Sequence, residues 1–358
     1  MVTEKELIEQ IKNAVLAVFN NTGFIKIIKI KENTVSGMLQ QLSDLSIEVQ
    51  TSKRSKYTLI FEVKTAGQPR YARIAINQLK GLVSKNTYYY GVFASTFISN
   101  ETRRICQENN ISFIDIAGNC FFNFNNVYLS IEGKPNPFPN KRPLKTLFYS
   151  KSSRALRVLL CNPGNIWFVK DLSTEADISL GQASLVKKKL LEEELIEELK
   201  VDDQKKFKLL KPEKILDEWV KNYSYNKNII KNYYSLDNTK TTESNIADYC
   251  NAKKIKYAFT LTSGASLVAP FLRYNRVFVY VFENTETIAK DLNFKEVSSG
   301  SNVSILKPYD EGVFYKLQII NDINVVSNIQ LYLDLIKYKE RGEEAAKFLY
   351  EQRISKSW

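Results

Sequence analysis

The sequence predicts an α/β protein with more than one domain. Short apolar runs such as Tyr57–Lys64 and Val277–Phe282 alternate with segments whose apolar residues recur at helical spacing, such as Glu4–Phe19. The chain of 358 residues is longer than one hydrophobic core usually supports. Four of its prolines crowd between Gly133 and Pro143, which indicates an extended linker.

The first segment, residues 1–133, is predicted to form a sheet of mixed direction with helices on its faces. Apolar residues at helical spacing define its first helix, and Gly118-Asn119 indicates a tight turn near its end. The predicted elements are a helix at Glu4–Phe19, strands at Phe24–Lys31, Leu45–Gln50 and Tyr57–Lys64, a helix near Tyr71–Val83, a strand at Tyr88–Ala94, a helix capped by Ser99 that runs to Glu108, and strands at Ser112–Ile116, Cys120–Phe124 and Val127–Ile131.

Residues 134–143 are the predicted linker, and residues 144–222 form the next predicted domain. Its predicted helices are Ser152–Cys161, Phe168–Ala176 and Leu180 to about Ile196, followed by a strand pair at Glu198–Val201 and Lys206–Leu210. Three helices and a hairpin in this order are typical of a winged helix-turn-helix, in which the third helix enters the DNA major groove.

Residues 223–358 are predicted to form a second α/β domain. Its predicted strands are Tyr257–Leu261, Val277–Phe282 and Val303–Leu306, and its predicted helices are Gly264–Leu272, Ser327–Lys337 and Glu343–Gln352. Thr262–Ser266 has the Gly-Ser pattern of a nucleotidyltransferase turn. The next strand lacks the acidic pair that such an enzyme needs, so nucleotide transfer by this domain is not expected.

The charge favours a polyanionic partner. Lys and Arg number 51 against 39 Asp and Glu, a net charge of +12. Val63–Asn100 contains basic residues and no acidic residue, and so does Gly133–Lys170. Such clustering is expected of a surface that binds DNA or RNA phosphates, although a solvated basic surface would also produce it.

Other features of the composition exclude several functional classes. The chain has no histidine, which excludes histidine-based triads and most zinc catalysis. Its four cysteines form no CxxC pair, as expected of thiols in a reducing cytoplasm. No signal peptide or membrane-spanning run is evident, so a soluble cytoplasmic protein is expected.

Three residues predict a metal-dependent phosphodiesterase site in the first domain. Glu62 and Lys64 end one strand on the same face, and Asp44 precedes the neighbouring strand. The two carboxylates would bind Mg²⁺ or Mn²⁺, and the lysine would orient the attacking water or stabilise the transition state. Gln78 is expected to support the site, and Glu48 competes with Asp44 as a ligand. Solvated charges are the alternative.

Neighbouring residues extend this candidate site. Arg70 and Arg73, which follow a Gly-Gln-Pro turn, are predicted to bind phosphates. Asp115 and Asn119 either stabilise a turn or bring a further carboxylate close to Glu62.

The winged helix is expected to contact double-stranded DNA. The residues predicted to do so are Ser179, Gln182, Ser184, Lys187 and Lys188 around the third helix, Lys205 and Lys206 in the wing, and Arg154 and Arg157 in the basic stretch. Five glutamates between Glu192 and Glu198 favour the alternative of a winged helix that contacts protein, but they lie at the far end of the third helix, away from the half that enters the groove, so DNA binding stays the leading expectation.

Three stretches resemble known families. Phe61–Arg70 together with Asp115–Asn119 resembles the restriction-endonuclease-like PD-(D/E)XK domain. The segment from Ser152 to Leu210 resembles a winged helix. Val326–Leu335 with Arg341–Ala346 resembles the C-terminal region of AbiEi-type antitoxins of type IV toxin–antitoxin systems.

These resemblances imply a transcriptional regulator or antitoxin of a toxin–antitoxin or phage-defence locus. It would bind its promoter and counteract a nucleotidyltransferase-like toxin, and a homodimer is one assembly that this allows. The nuclease-like pattern implies Asp44 and Glu62 as metal ligands, Lys64 as the catalytic lysine and Gln78 as their support. The alternatives are a Mg²⁺-dependent endonuclease targeted by the winged helix, and an adaptor that recruits a protein partner.

Overall fold

The computed structural model describes residues 3–35, 42–52, 54–137, 145–201 and 203–358. The chain divides into two compact units, Met1–Lys141 with Glu192–Glu194, and Arg142–Leu191 with Leu195–Trp358. Residues 138–143 of the predicted linker lie outside the residues that the structure describes. The predicted boundary at residue 222 lies within the second unit, so the division into a winged helix and a C-terminal domain stays a prediction.

The first unit contains a mixed sheet whose strands follow one another in chain order, from β1 to β7. The pairs β3–β4 and β4–β5 are parallel, and the other neighbouring pairs are antiparallel. The elements are α1 (Glu4–Asn20), β1 (Ile25–Val35), β2 (Leu42–Thr51), β3 (Lys56–Lys64), α2 (Pro69–Val83), β4 (Tyr89–Ser95), α3 (Asn100–Glu108), β5 (Ser112–Asp115), β6 (Cys120–Phe124) and β7 (Val127–Ile131). The predicted mixed α/β architecture and order of elements are confirmed here.

Helices cover both faces of this sheet. The buried residues of α1 share a core with Leu45, Leu59 and Phe61. Those of α2 and α3 share another with Phe93 and Phe113. The helix α1 begins where it does because Thr3 and Glu6 form a capping box that satisfies free backbone N–H groups.

The second unit contains a small sheet and a large one. In the described residues the small sheet has the order β8-β10-β9, and the large one β14-β11-β15-β13-β12-β17-β16. The elements are α4 (Ser150–Cys161), β8 (Ile166–Trp167), α5 (Val169–Glu175), α6 (Leu180–Glu192), β9 (Ile196–Val201), β10 (Gln204–Leu209), α7 (Pro212–Asn222), β11 (Ile229–Tyr234), α8 (Thr239–Ala252), β12 (Tyr257–Phe259), α9 (Leu261–Val268), β13 (Val277–Val281), α10 (Thr285–Asp291), β14 (Lys295–Glu296), β15 (Val303–Lys307), β16 (Gln318–Ile320), β17 (Ile323–Val325), α11 (Asn328–Leu335) and α12 (Gly342–Leu349). Among the described helices, none has the length and apolarity that crossing a membrane requires.

The three predicted helices and the hairpin of residues 144–222 are present with shifted ends. The third helix ends at Glu192 rather than near Ile196, because Glu194 adopts a positive φ of 53° and β9 begins at Ile196. Glu197 therefore lies on a strand and not on the helix. The short strand β8, which pairs with β10 at Trp167, was not predicted.

A buried polar network crosses the second unit. Arg157 on α4 is completely buried and donates hydrogen bonds of 2.7 and 3.0 Å to Gln330 Oε1 on α11. Gln330 Nε2 donates in turn to Asp334 at 3.0 Å, and Asp334 also accepts from Tyr223 and Thr260. The network joins the predicted winged-helix segment to the C-terminal helices.

Removing Arg157 should therefore destabilise the second unit. We expect Arg157→Ala to lower its free energy of unfolding by about 3 kcal/mol or more, because Gln330 Oε1 and Ser153 Oγ lose a buried, charged donor. The three tryptophans Trp167, Trp219 and Trp358 all lie in this unit, so tryptophan fluorescence during urea unfolding follows it selectively.

The matched control is Lys221→Ala, which removes an exposed ion pair with Glu218 one helical turn away. Its effect should stay below about 1 kcal/mol. Equal small effects of both substitutions would contradict a structural role for the network.

Candidate functional site

Three of the predicted site residues of the first unit, Asp44, Glu62 and Lys64, lie where β2 and β3 run side by side. Leu45 pairs with Phe61, which brings Asp44 next to Glu62. Asp44 Oδ2 accepts a hydrogen bond of 2.7 Å from the Val63 backbone N–H. Lys64 Nζ donates to Glu62 Oε1. Asp44 lies inside β2 rather than before it, since the strand begins at Leu42.

The environment of Glu62 raises the pKa of its carboxyl above the usual value. Its side chain is almost fully buried, and this burial raises the pKa of the Glu62 carboxyl. The hydrogen bond from Lys64 lowers this pKa, whereas the negative charges of Asp44 and Glu4 raise it further. A cation bound between these carboxylates would relieve both the burial cost and the repulsion.

Two buried side-chain oxygens of the first unit were missed from the sequence. Ser95 Oγ and Gln68 Oε1 have no hydrogen-bond partner among the described residues. Ser95 lies on β4, where it pairs with Lys64 on one side and with Asp115 on the other. A serine after a buried apolar run is a weak sequence signal. Glu4, in the first turn of α1, was missed because it is remote in sequence from the cluster.

Gln78 and Glu48 are not shown in contact with Glu62 within the described residues. Gln78 is exposed on α2, whereas the buried side of that helix faces the sheet through Ala75 and Leu79. Its supporting role stays a prediction without a described contact. Glu48 pairs with Thr58, four residues along β3 from Glu62, a distance of about 13 Å. Of the two competing ligands, Asp44 is therefore the one beside Glu62.

Arg70 and Arg73 lie near the start of α2, and the Arg73 side chain, which is about half exposed, forms a 2.7 Å ion pair with Glu194. The helix starts there because Pro69 occupies its first position, where no backbone N–H is needed. Their predicted role in binding phosphate is compatible with this placement and stays a prediction.

The Asp115 carboxylate is bound by donors from within the fold. It is completely buried and accepts hydrogen bonds from the Asn119 backbone and side chain at 3.0–3.2 Å. The Arg103 guanidinium lies 3.8 Å away. Burial raises the pKa of the Asp115 carboxyl, and these donors lower it. Its contacts favour the predicted turn-stabilising role.

The donor set suits a hard cation. Asp44 and Glu62 offer carboxylate oxygens on neighbouring strands. The described residues contain no group of three or more Asp, Glu, Cys or His side chains placed to hold a metal. Mg²⁺ commonly uses one or two carboxylates and keeps several waters, so the residues present fit it.

The predicted DNA-contacting residues of α6 and the hairpin differ in how exposed their side chains are and in whether other residues of the protein already bind them. Ser184, Lys188 and Lys205 are exposed, and they have no polar partner in the part of the chain that the structure describes. Ser179 accepts from the Gln182 N–H and so caps the helix.

Three further residues of this set have partners. Gln182 donates to Ser152 at 2.5 Å. Lys187 forms a 2.9 Å ion pair with Glu198, and Lys206 Nζ lies 4.8 Å from the centre of the Phe168 ring.

Arg154 and Arg157 do not lie on an exposed basic face, contrary to what the basic stretch indicated. Arg157 is buried against Trp219 and Gln330, with its guanidinium carbon 4.9 Å from the Trp219 ring centre. Arg154 is mostly buried and pairs with Asp310 at 3.0 Å and Asp177 at 2.6 Å. Since these interactions occupy both side chains, we do not include them among the proposed DNA contacts.

Comparison with known proteins gives one family match. Residues 208–355, less than half of the chain, match the family model described as transcriptional regulator, AbiEi antitoxin, type IV TA system. No curated protein matches the chain. A solved structure of EndoMS in its apo form aligns at 11% identity with 29% of this chain and 44% of its own length, with a TM-score of 0.21. The chain thus spans less than half of that structure.

The carboxylate cluster predicts a pH-dependent metal affinity. A cation needs Glu62 deprotonated, and the pKa of Glu62 is raised, so Mn²⁺ affinity should rise with pH until that pKa is passed. Below the pKa, affinity should fall about tenfold per pH unit. Calorimetric Mn²⁺ titrations of the full chain between about pH 5 and pH 8 measure this dependence.

Glu62→Gln should weaken Mn²⁺ binding and flatten its pH dependence. Glu108→Gln, on the exposed end of α3, is the matched control and should change neither. Unchanged binding by Glu62→Gln would show that the metal binds elsewhere.

Proposed function

We propose that this protein is a DNA-binding transcriptional regulator and antitoxin of a type IV toxin–antitoxin or phage-defence locus. The observation that carries the proposal is the match of residues 208–355 to the antitoxin and regulator family model. The matched residues share one compact unit with α4, α5, α6 and the β9–β10 hairpin. A nucleotidyltransferase-like toxin is the proposed protein partner.

The exposed side of α6 supports DNA binding by the second unit. Leu180, Ser184 and Lys188 recur every four residues, and therefore lie along one side of the helix. Ala183, Val186 and Leu190 form the opposite, buried side. A serine and a lysine can contact phosphates or base edges, and an exposed leucine can contact thymine methyl groups.

The β9–β10 hairpin supplies two further lysines for the proposed DNA-binding surface. Lys205 is exposed near the start of β10, beside Lys206, which is partly exposed. In a winged helix the hairpin contacts the DNA backbone next to the groove that the third helix enters. Lys188 and Lys205 are thus the proposed phosphate contacts, because no acidic side chain neutralises either of them within the described residues.

Replacing these two lysines should weaken DNA binding without changing the fold. We expect Lys188→Gln with Lys205→Gln to lower the affinity for duplex DNA from upstream of the gene. The slope of log affinity against log salt should fall by about one for each lysine lost. Fluorescence anisotropy at several salt concentrations measures both quantities.

The matched control is Lys290→Gln, an exposed lysine on α10. It should leave both the affinity and the salt slope close to those of the unmodified protein. Absence of salt-sensitive DNA binding by the unmodified chain would contradict the proposed function.

A second candidate function is metal-dependent cleavage of DNA by the first unit. It is favoured by the adjacent Asp44 and Glu62 carboxylates and by the Lys64 ammonium beside Glu62. A bound Mg²⁺ would activate water and offset charge on the scissile phosphate. In this chain, Asp44 and Glu62 would hold the metal. Lys64 would stabilise the developing charge.

Cleavage of plasmid DNA in the presence of Mg²⁺ or Mn²⁺ tests the second candidate. If the site is active, Glu62→Ala and Lys64→Ala should each reduce cleavage by a factor of about 100 or more, because each removes a group that acts on the reacting atoms. Glu108→Ala is the control. Cleavage that persists in both site variants would show that another nuclease, or another site, is responsible.

A further inference from the structure

A small cavity in the second unit is lined by three arginines. It has a volume of about 170 Å³ and lies between the segment that connects α9 to β13 and the segment before α12. The first segment contributes Arg273 and Arg276, and the second contributes Arg341. None of these residues was part of the predicted DNA-binding or metal sites.

The guanidinium of Arg276 is held in place by neutral groups. Its Nε donates to Ser304 Oγ at 2.9 Å, and its Nη2 donates to Asn232 Oδ1 at 2.7 Å. Ser304 and Asn232 are hydrogen-bonded to each other as well. The Phe278 ring lies 5.1 Å from the guanidinium carbon. These contacts orient the arginine, and no carboxylate of the described residues forms an ion pair with it.

The other two arginines are more accessible. Arg273 is exposed and forms no hydrogen bond or ion pair within the described residues. Arg341 pairs with Glu344 at 2.6 Å, one helical turn along the exposed surface. Its guanidinium carbon lies 6.0 Å from the Phe271 ring. An exposed pair of this kind is weak and leaves the arginine able to turn toward another anion.

The lining of the cavity contains fewer acidic than basic side chains. Glu340 is the one carboxylate of the lining, and it accepts a hydrogen bond from Tyr338 at 2.9 Å. Tyr274 donates to Glu243, which lies outside the lining, and burial raises the pKa of Tyr274 to about 12. Tyr274 is therefore neutral at physiological pH, and the lining carries three arginines, one of them paired with Glu344, against the single carboxylate of Glu340.

We infer that this cavity binds a phosphate group, either of a small phosphate compound or of the end of a nucleic acid. Arginine donates in a fixed fork that matches phosphate oxygens, and several guanidiniums together compensate a multiply charged anion. The volume is below the roughly 300–1,000 Å³ of sites that enclose a drug-sized ligand. It therefore suits a phosphate or diphosphate group whose remaining part extends into solvent.

Pyrophosphate is a suitable probe, with the full chain and isothermal titration calorimetry. We expect saturable binding by the unmodified protein and a roughly tenfold or larger loss of affinity in Arg273→Gln, since a hydrogen bond to a charged group is removed. Arg273→Lys should lose less, because it keeps the charge without the fork. Arg273 has no described partner, so neither substitution should disturb the fold.

Lys253→Gln is the matched control, an exposed lysine at the end of α8 and outside the cavity. It should bind pyrophosphate as the unmodified protein does. No saturable binding, or equal losses in Arg273→Gln and Lys253→Gln, would overturn the inference. So would tight binding of an acidic peptide by a protein that does not bind pyrophosphate.

Competition identifies the source of the phosphate. Displacement of pyrophosphate by a 5′-phosphorylated oligonucleotide but not by its 5′-hydroxyl form would assign the site to nucleic-acid ends. Displacement by neither, with pyrophosphate binding still lost in Arg273→Gln, would assign it to small phosphate compounds. The Arg273 variants should retain the DNA affinity that depends on Lys188 and Lys205, so the two sites are tested separately.

Discussion

The second unit buries charged side chains. Because these groups are removed from water, the fold itself must supply their hydrogen-bond partners. Asp334 is completely buried, and its carboxylate accepts hydrogen bonds from Tyr223, Thr260, Tyr280 and Gln330. Burial raises the pKa of Asp334, and these donors lower it. Removing any one of these donors leaves a buried polar group without a hydrogen bond in a low-dielectric environment. The protein then loses more stability than it would if an exposed contact were removed. The network therefore restricts α11 to one position against the residues around it.

This restriction ties the family-matched residues to the segment that precedes them. Gln330 lies in the matched range and Arg157 lies outside it, yet the two are hydrogen-bonded. Apolar side chains reinforce the connection, since Ile329 and Leu333 of α11 share a core with Leu159 of α4. A ligand or partner that shifts α11 would have to disturb α4, against which α5 packs. The same unit thus carries the proposed DNA-binding surface and the antitoxin-like region in one packed body.

Much of the fold and part of the candidate sites were predictable from local patterns. The strand ending in Glu62-Val-Lys64 was evident because alternation along a strand places both charges on one face. The polar segment that contains β11 and α8 gave little apolar periodicity, so both elements were missed there. The surroundings of the Glu62 site were harder to predict: strand pairing places Ser95 beside Lys64, and the negative charge of Glu4 on α1 raises the Glu62 pKa, although both residues are remote in sequence.

The sequence by itself determined the mixed α/β class, the basic character and the residue types that each proposed chemistry requires. Tertiary structure decided which of those residues are available. Arg154 and Arg157 look like DNA contacts in a basic stretch, but the fold buries them because Asp310 and Gln330, far along the chain, supply their partners. Lys188 and Lys205 stay exposed because no such partner reaches them in the described structure. Charge is a property of composition, whereas its exposure depends on long-range packing.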